Sequence, residues 1–267
     1  MQHVRAVIFD WAGTTVDYGS RAPMGVFVEV FARFGVDITV SEARGPMGLP
    51  KWDHIKALLQ LPRVAAAWES AQGSPPDDAA VDRIYHVFVP ANVEVAADYA
   101  QLIPGTAETV AQLRGRGLRI GSTTGYTRDI MDRILPVAEA QGFRPDNLVC
   151  AGDTPQGRPT PFMIYRTFLD LAVFPAWACV KVDDTEPGIA EGLSAGCWTV
   201  GVSLSGNGVG LSRQEVAALD PSDRQARNDA ARQRLLATGA HAVIDTVADL
   251  IPCLEAIDRR LERDDRP

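Results

Sequence analysis

Acidic residues follow two apolar stretches that have the composition of buried strands. Val4 to Phe9 runs into Asp10 and a glycine-containing loop, and Ala178 to Val182 runs into Asp183 and Asp184. A carboxylate at the carboxyl end of a parallel strand can act as a nucleophile or hold a divalent cation, because open α/β sheets place their ligands there. An Asp that only caps a strand would leave the same pattern. The chemistry therefore depends on what else the chain carries.

Amines are rare in this chain. Of its 26 basic residues 23 are Arg, and the three lysines are Lys51, Lys56 and Lys181. Arg cannot replace an amine that must lose its proton and attack a carbonyl, because the guanidinium stays charged. Each lysine is therefore a candidate for a role that Arg cannot fill.

Composition and charge favour a soluble globular protein. The 267 residues are 46% hydrophobic and 22% charged, enough for a full core in one or two domains. A formal charge of −8 and a pI near 5.0 argue against nucleic acid or an anionic membrane as the main partner, because both require a basic face. No apolar run approaches the roughly 18 residues of a spanning helix, and no signal peptide precedes the first strand, so we expect the cytoplasm. The cysteines are irregularly spaced and are expected to be reduced core thiols; they are Cys150, Cys179, Cys197 and Cys253.

The elements that must position these residues alternate between strand and helix after residue 104. Such alternation with short connections predicts an α/β fold, a Rossmann-like parallel sheet with helices on both faces. The strands are expected at residues 4–9, 118–123, 148–150, 178–182, 197–202 and 241–244. Residues 19–103 have helical spacing without strand-like runs, and Pro90 should kink or break the helix over residues 77–100. We therefore expect a core domain of residues 1–18 and 104–267 with an inserted helical cap domain of residues 19–103.

Four segments, in order along the chain, resemble the four motifs of the haloacid-dehalogenase superfamily. They are Asp10-Trp11-Ala12-Gly13-Thr14-Thr15, Gly121-Ser122-Thr123-Thr124-Gly125-Tyr126, Gly157-Arg158-Pro159-Thr160-Pro161-Phe162 and Val182-Asp183-Asp184-Thr185. The resemblance implies that Asp10 attacks phosphorus. Phosphatases of the superfamily carry a second Asp where this chain has Ala12, and an alanine cannot protonate a departing alcohol oxygen. Ordinary phosphomonoester chemistry is therefore disfavoured.

The resemblance also implies roles for the other motif residues. A magnesium ion would be held by Asp10, Ala12 and Asp184, because clustered carboxylates repel one another unless a hard cation lies between them. The residues implied for substrate or phosphate binding are Ala12, Thr123, Thr124, Gly125 and Arg158. Among the hydroxyls of Ser122, Thr123 and Thr124, we favour Thr124 and place Thr123 second. The acid often found four residues after the motif's metal ligand is Gly188 here, which leaves Asp183 as a residue that supports the ligands.

Lys51 distinguishes among the activities that such a core supports. It lies in Met47-Gly48-Leu49-Pro50-Lys51-Trp52-Asp53-His54, which resembles the segment that carries the Schiff-base lysine in phosphonoacetaldehyde hydrolases. Breaking a C–P bond directly would expel a carbanion, whereas an iminium on the adjacent carbon accepts those electrons as an enamine. No alcohol leaves in that reaction, which accounts for Ala12. An apolar setting would lower the pKa of the amine, and His54, one turn later, could move protons.

The combined pattern resembles a phosphonoacetaldehyde hydrolase of the haloacid-dehalogenase superfamily. This implies magnesium-dependent cleavage of phosphonoacetaldehyde to acetaldehyde and phosphate in 2-aminoethylphosphonate degradation. The intermediates would be a lysine Schiff base and an aspartyl phosphate. It also implies a homodimer and a small-molecule phosphonate substrate. A phosphatase of small phosphomonoesters and a non-catalytic binding module are the alternatives; Ala12 argues against the first, and the presence of Asp10, Lys51, Arg158 and Asp184 against the second.

A glycine-rich stretch, Ser205-Gly206-Asn207-Gly208-Val209-Gly210, follows the expected strand at 197–202. It lacks the last Gly of the nucleotide-binding fingerprint at the correct place. We therefore expect a flexible loop with no nucleotide.

Overall fold

In the computed structural model, which describes residues 1–267, five strands form a single parallel sheet. They are β1 (Ala6–Phe9), β2 (Arg119–Ser122), β3 (Cys179–Asp183), β4 (Trp198–Val202) and β5 (Ala242–Ile244). Their order is β2-β1-β3-β4-β5, and each neighbouring pair is parallel. The predicted α/β fold with a parallel sheet is therefore confirmed.

The first five of the six helices between β1 and β2 follow one another as one group. They are α1 (Ala22–Arg33), α2 (Val40–Arg44), α3 (Lys51–Leu59), α4 (Pro62–Gln72) and α5 (Asp78–Ala96), followed by a 3₁₀ turn at Ala97–Tyr99. Local sequence explains where two of them begin. Thr39 and Glu42 form a capping box at α2, and the side chain of Asp77 accepts a hydrogen bond from the Ala80 N–H at α5.

The remaining helices alternate with the strands or follow the last one. They are α6 (Thr106–Gly115), α7 (Arg128–Ala140), α8 (Phe162–Leu171), α9 (Glu186–Ser194), α10 (Arg213–Ala218), α11 (Pro221–Ala237) and α12 (Leu250–Glu262), with 3₁₀ turns at Ala176–Ala178 and Val247–Asp249. None of these helices combines the length and the apolar composition that a membrane span requires.

Separate hydrophobic cores accompany the two groups of elements. A cluster of 31 buried residues packs on one face of the sheet and also takes in Ala96, Ala100 and Ile103 at the end of the inserted segment. A smaller cluster that includes Ala6, Ile8 and Ile164 packs on the other face. A cluster of 18 buried residues runs from Met24 to Phe88 and belongs wholly to the segment of α1 to α5. On this basis we propose the division into a core of residues 1–18 and 104–267 and a cap of residues 19–103.

Two local predictions need correction. Residues 148–150 do not form a strand, because Val149 makes only an isolated bridge to Thr123 beyond the end of β2. Helix α5 also continues through Pro90 to Ala96, so of the kink or break expected at Pro90 the break does not occur. A proline removes only its own N–H, and the α5 helix packs against α1, α3 and α7, so tertiary contacts outweigh the local cost.

Candidate active site

The central strands bring the motif residues to one edge of the sheet. Phe9 of β1 lies beside Ser122 of β2 and Val182 of β3. The residues that follow these three positions therefore emerge together, and they include Asp10, Thr123 and Asp183. This register is the reason why motifs more than 100 residues apart in the sequence form one site.

A small cavity lies where this edge of the sheet meets the cap. It has a volume of ≈ 20 Å³, enough for only one or two water molecules. The core contributes Asp10, Ala12, Thr124, Gly125, Tyr126, Arg158 and Thr185 to its lining, and the cap contributes Met47, Gly48, Leu49 and Lys51. The structure thus brings Asp10 and Lys51 to the same cavity in a closed arrangement, which must open to admit a substrate.

Arg158 is held by three acidic side chains. Its Nη2 donates to Asp10 Oδ1 at 2.8 Å, its Nε donates to Glu191 Oε2 at 3.0 Å, and Asp183 Oδ2 lies 3.4 Å from Nη2. Nη2 also donates to the Thr123 carbonyl at 2.8 Å. Burial acts to lower the pKa of Arg158, but Asp183, Asp10 and Glu191 outweigh it and raise the pKa above its usual value. Arg158 is therefore a fixed, permanently charged group beside the nucleophile candidate.

Two residues of this network escaped the sequence motifs. Lys181, in the middle of β3, is fully buried, and its Nζ lies 3.1 Å from Asp183 Oδ2 and 3.3 Å from Glu191 Oε2. Glu191, on α9, is also fully buried. A signal was present, since a lysine between two valines of a buried strand requires an acidic partner. The sequence could not say which acid would supply it.

The carboxylates outnumber their protein partners. Asp10, Asp183, Asp184 and Glu191 face two cations, Arg158 and Lys181, so two negative charges remain unbalanced. Burial is the main reason that the pKa of Asp10 rises to about 6 and that of Asp184 rises well above its usual value, and repulsion among the carboxylates adds to both. Without a further cation these groups would tend to protonate.

A divalent cation fits this arrangement. Ligand oxygens of Asp10, Asp183 and Asp184 all lie within 4.8 Å of one another. Asp183 is already committed, because its Oδ1 accepts from the Thr185 N–H at 3.0 Å and hydroxyl at 2.7 Å while its Oδ2 faces Lys181 and Arg158. Burial acts to raise the pKa of Asp183, but Arg158, Lys181 and the Thr185 hydrogen bond outweigh it and lower the pKa. Asp184, which forms no ion pair, and Asp10, which pairs with Arg158 through Oδ1 alone, are therefore the better candidates to hold a cation.

The glycine at position 188 follows from the position of Asp183. A Cβ on Gly188 would lie 2.0 Å from the Asp183 carboxylate. No side chain, acidic or otherwise, fits there while Asp183 keeps its place. The space that an acidic side chain at position 188 would enter is therefore occupied by the carboxylate of Asp183.

The two favoured hydroxyls of the second motif have different surroundings. Thr124 lines the cavity, and its Oγ1 accepts from the Tyr126 N–H at 3.1 Å. Thr123 is fully buried; its Oγ1 donates to Glu191 Oε2 at 3.0 Å and accepts from Lys181 Nζ at 2.7 Å. Thr124 therefore faces the space that a substrate would enter, whereas Thr123 belongs to the network behind Arg158.

Lys51 begins helix α3 and is only 3% exposed. Its Nζ lies 5.0 Å from the centre of the Tyr126 ring and 5.7 Å from that of Phe27, and none of the ion pairs that hold Arg158 and Lys181 includes it. Burial is the main cause that lowers the pKa of Lys51 to about 8, with Arg158 acting in the same direction and Asp10 opposing. A substantial share of the amine is thus neutral near pH 8 and able to attack a carbonyl.

His54 does not reach the cavity. It is fully buried, its Nε2 is 2.8 Å from the Ala43 carbonyl oxygen, and its ring stacks on Phe27 with centroids 4.1 Å apart. Burial lowers the pKa of His54 well below its usual value, and the charge of Lys51 acts in the same direction. In this arrangement His54 is a neutral ring one turn along α3 from Lys51, and its Nδ1 has no hydrogen-bond partner.

Comparison with known proteins places the chain in a family. A sequence model of haloacid dehalogenase-like hydrolases matches residues 4–196. The phosphonoacetaldehyde hydrolase of Paraburkholderia xenovorans (strain LB400) is 59% identical over 267 residues, which cover 100% of both chains. That of Hahella chejuensis (strain KCTC 2396) is 47% identical over 264 residues, covering 99% of this chain and 90% of the relative.

Solved structures agree with the sequence comparisons. A phosphonoacetaldehyde hydrolase-like protein from Oleispira antarctica has a TM-score of 0.97 at 45% identity, covering 99% of this chain and 96% of that one. A β-phosphoglucomutase from Clostridium difficile has a TM-score of 0.69 at 14% identity, covering 97% and 99%, and shares the fold alone. Members of the family generally use a divalent metal, for which the buried Asp cluster is suited. The chain belongs to the haloacid dehalogenase-like hydrolases, within the family of the phosphonoacetaldehyde hydrolases.

Proposed function

We propose that this enzyme hydrolyses the carbon–phosphorus bond of phosphonoacetaldehyde to acetaldehyde and orthophosphate, as a step in the degradation of 2-aminoethylphosphonate. The proposal rests on one observation: Lys51, which is buried and makes no ion pair, lines the same cavity as Asp10. Ala12 lies in the same lining where a phosphatase would need an acid. Full-length relatives named for this activity support the substrate assignment.

The first step belongs to the cap. The neutral amine of Lys51 adds to the aldehyde carbon, and loss of water gives an imine that is protonated on nitrogen. Met47, Leu49 and Tyr126 line the same cavity as the buried amine, and this apolar setting favours its neutral form before attack. We assign His54 a supporting role for Lys51, because it lies one turn along the same helix and stacks on Phe27, whose ring also faces the Lys51 amine.

The second step belongs to the core. A carboxylate oxygen of Asp10 attacks phosphorus, the C–P bond breaks, and its electron pair passes to the iminium to give an enamine on Lys51. Protonation of the enamine carbon and addition of water release acetaldehyde and the free lysine. A second water then cleaves the aspartyl phosphate to orthophosphate and Asp10.

The phosphoryl group would be held by charges and donors on the core side. Arg158 offers charge-assisted donors beside Asp10, Thr124 offers its hydroxyl, and Ala12 and Gly125 offer backbone groups. We propose Mg²⁺ as the cation, held by Asp10, Asp184 and the backbone of Ala12, because hard oxygen ligands suit it. When bound, the ion supplies charge neutralisation for the phosphoryl group and the carboxylates.

Assembly and location complete the proposal. Family membership supports a homodimer, which light scattering of the purified protein tests. All four cysteines are free thiols, three of them buried, and this supports a reducing compartment such as the cytoplasm.

Release of phosphate tests the function directly. We expect Mg²⁺-dependent release from phosphonoacetaldehyde, loss of that release in Lys51→Met, and much slower release from small phosphomonoesters. Rapid phosphomonoester hydrolysis that survives Lys51→Met would instead support the phosphatase alternative.

A further inference from the structure

The glycine-rich stretch of residues 205–210 contacts both the cap and the candidate metal ligand. It is packed rather than loose: Ser205, Gly206 and Val209 are buried, and the Ser205 hydroxyl donates to the Gly13 carbonyl at 3.1 Å. The segment is a loop, as its sequence predicts, and it is held by packing and hydrogen bonds. No nucleotide role is needed to explain its glycines.

Two of those glycines make room for neighbours. A Cβ on Gly206 would lie 2.6 Å from Asp184 Cβ, and one on Gly210, where φ is +70°, would lie 2.7 Å from the Arg44 guanidinium. The stretch thus runs in tight contact with Asp184 on one side and with Arg44 of the cap on the other. Any side chain at these positions would push one of them away.

Arg44 reaches from helix α2 across the boundary between cap and core. Its Nη1 donates to the Gly19 carbonyl at 2.9 Å and to Asn207 Oδ1 at 3.0 Å, and its Nη2 donates to the Gly210 carbonyl at 2.7 Å. Asn207 answers with its own amide, whose Nδ2 donates to the Arg44 carbonyl at 3.3 Å. Both polar atoms of the Asn207 side chain are thus hydrogen-bonded to one cap residue, Arg44.

The backbone of Asn207 performs a second task. Its N–H donates to Asp184 Oδ2 at 2.7 Å, while Asp184 Oδ1 accepts from the Thr14 hydroxyl at 3.1 Å. Asp184 has no cationic partner among the ion pairs of the site, so these two donors fix its orientation. A short N–H contact of this kind also favours the ionised carboxylate.

We propose that Arg44 and Asn207 are positioning residues that couple closure of the cap to the orientation of Asp184. With the cap closed, Arg44 clamps the Asn207 side chain and thereby aligns the Asn207 N–H with the carboxylate. With the cap open, Arg44 leaves, the Asn207 loop loosens, and Asp184 loses one of its two donors. The inference rests on the proposed function only in treating Asp184 as the metal ligand.

Hydrogen exchange at the Asn207 amide tests the first half of the relay. In Arg44→Lys, which keeps the positive charge but not the multidentate contacts, we expect exchange at Asn207 to accelerate about tenfold or more because the local hydrogen bond opens more often. Arg63→Lys is the matched control, since Arg63 lies in the same cap but bonds only to Glu42 and Asp37. Unchanged exchange in Arg44→Lys, or equal acceleration in the control, would overturn the relay.

Mg²⁺ affinity tests the second half. Asn207→Ala keeps the backbone N–H but loses the side-chain hydrogen bonds to Arg44. We expect its affinity for Mg²⁺, measured by calorimetry, to fall about tenfold. The Arg44→Lys/Asn207→Ala double variant should bind Mg²⁺ no more weakly than the weaker-binding single variant. Both substitutions remove the same set of contacts between Arg44 and Asn207, so their effects should not add. Asn228→Ala removes bonds to Ser203 and Asp245 without touching the cap and should bind Mg²⁺ normally.

The outcomes separate this inference from the proposed function. Wild-type affinity in Asn207→Ala, or an equal loss in Asn228→Ala, would refute the coupling whatever the substrate is. Failure of the wild-type enzyme to act on phosphonoacetaldehyde would remove the proposed function, whereas exchange at Asn207 is measured without any substrate and would still report on the relay.

Discussion

The core half and the cap half of the site each bury a lysine, and the two lysines have opposite surroundings. Lys181 in the core forms ion pairs with Asp183 and Glu191 and donates to Thr123. Lys51 in the cap faces the rings of Tyr126 and Phe27 and has no carboxylate partner. The comparison teaches that burial alone does not make an amine reactive. A paired amine holds a network together, whereas an unpaired one is left able to lose its proton.

The same contrast separates the two halves of the proposed reaction. The core concentrates charge around Asp10, which suits transfer of a phosphoryl group. The cap presents an apolar wall with one amine, which suits imine formation. The variants that follow test whether this division is real.

The largest expected effect is at the nucleophile. Asp10→Asn should lower turnover by about 10⁴-fold or more, because an amide is a poor nucleophile and a weak ligand for a cation. The fold should persist, since Arg158 keeps Asp183 and Glu191 as partners. Phosphate release and circular dichroism check these outcomes, and substantial activity in a preparation free of deamidation would remove Asp10 from this role.

Lys51→Arg tests whether the cap supplies more than a positive charge. Arg keeps the charge but cannot form an imine, so activity should fall almost as far as in Lys51→Ala. Steady-state phosphate release measures the effect. A Lys51→Arg enzyme with substantial activity would show that the amine acts only as a cation.

Lys181→Met should affect mainly the stability of the fold, whereas substitutions of Lys51 affect mainly activity. It leaves Asp183 and Glu191 without one of their buried cations, so the free energy of unfolding should fall by about 3 kcal/mol. Lys51→Met removes an unpaired buried amine and should not lower the free energy of unfolding. Urea denaturation of both variants at pH 7 gives the answer, and equal destabilisation would contradict the difference in pairing.

A smaller effect concerns pH. With the pKa of Lys51 lowered to about 8, kcat/KM should rise with pH and level off above that value, because the free amine is the attacking form. The free energy of unfolding should also rise with pH. Between about 8 and the ordinary value of 10.5 the unfolded chain binds the proton and the native chain does not, so Lys51 makes stability rise with pH in that window. The rise should be absent in Lys51→Met, and its persistence would assign it to another group.

The sequence predicted much of the site because its residues stand at strand ends. Asp10, Asp184 and the Thr124 region follow short apolar runs, and the parallel order of the strands brings such ends to one edge. Lys51 stands out in the sequence because lysines are rare in the chain and because residues 47–54 resemble the segment that carries the Schiff-base lysine. What the sequence did not reveal depends on packing. Glu191 lies inside a helix without any motif, and only the fold brings it to Arg158 and Lys181.

The glycine-rich stretch shows a second limit. Its spacing excluded a nucleotide but gave no sign that Asn207 would join Arg44, 163 positions away, to Asp184. Side-chain contacts across the boundary between cap and core have no periodicity for a sequence reading to detect. They become visible only when both surfaces are seen together.

The central claim is that Lys51 forms a covalent imine with the substrate. Borohydride added together with phosphonoacetaldehyde should reduce that imine, inactivate the enzyme and leave an adduct that peptide mapping assigns to Lys51. Lys181 is the internal control, because it is equally buried but paired, and Lys56 is the partly exposed counterpart, paired with Asp78. Labelling of Lys56 or Lys181 instead, or no adduct in an enzyme that is turning over substrate, would contradict the account.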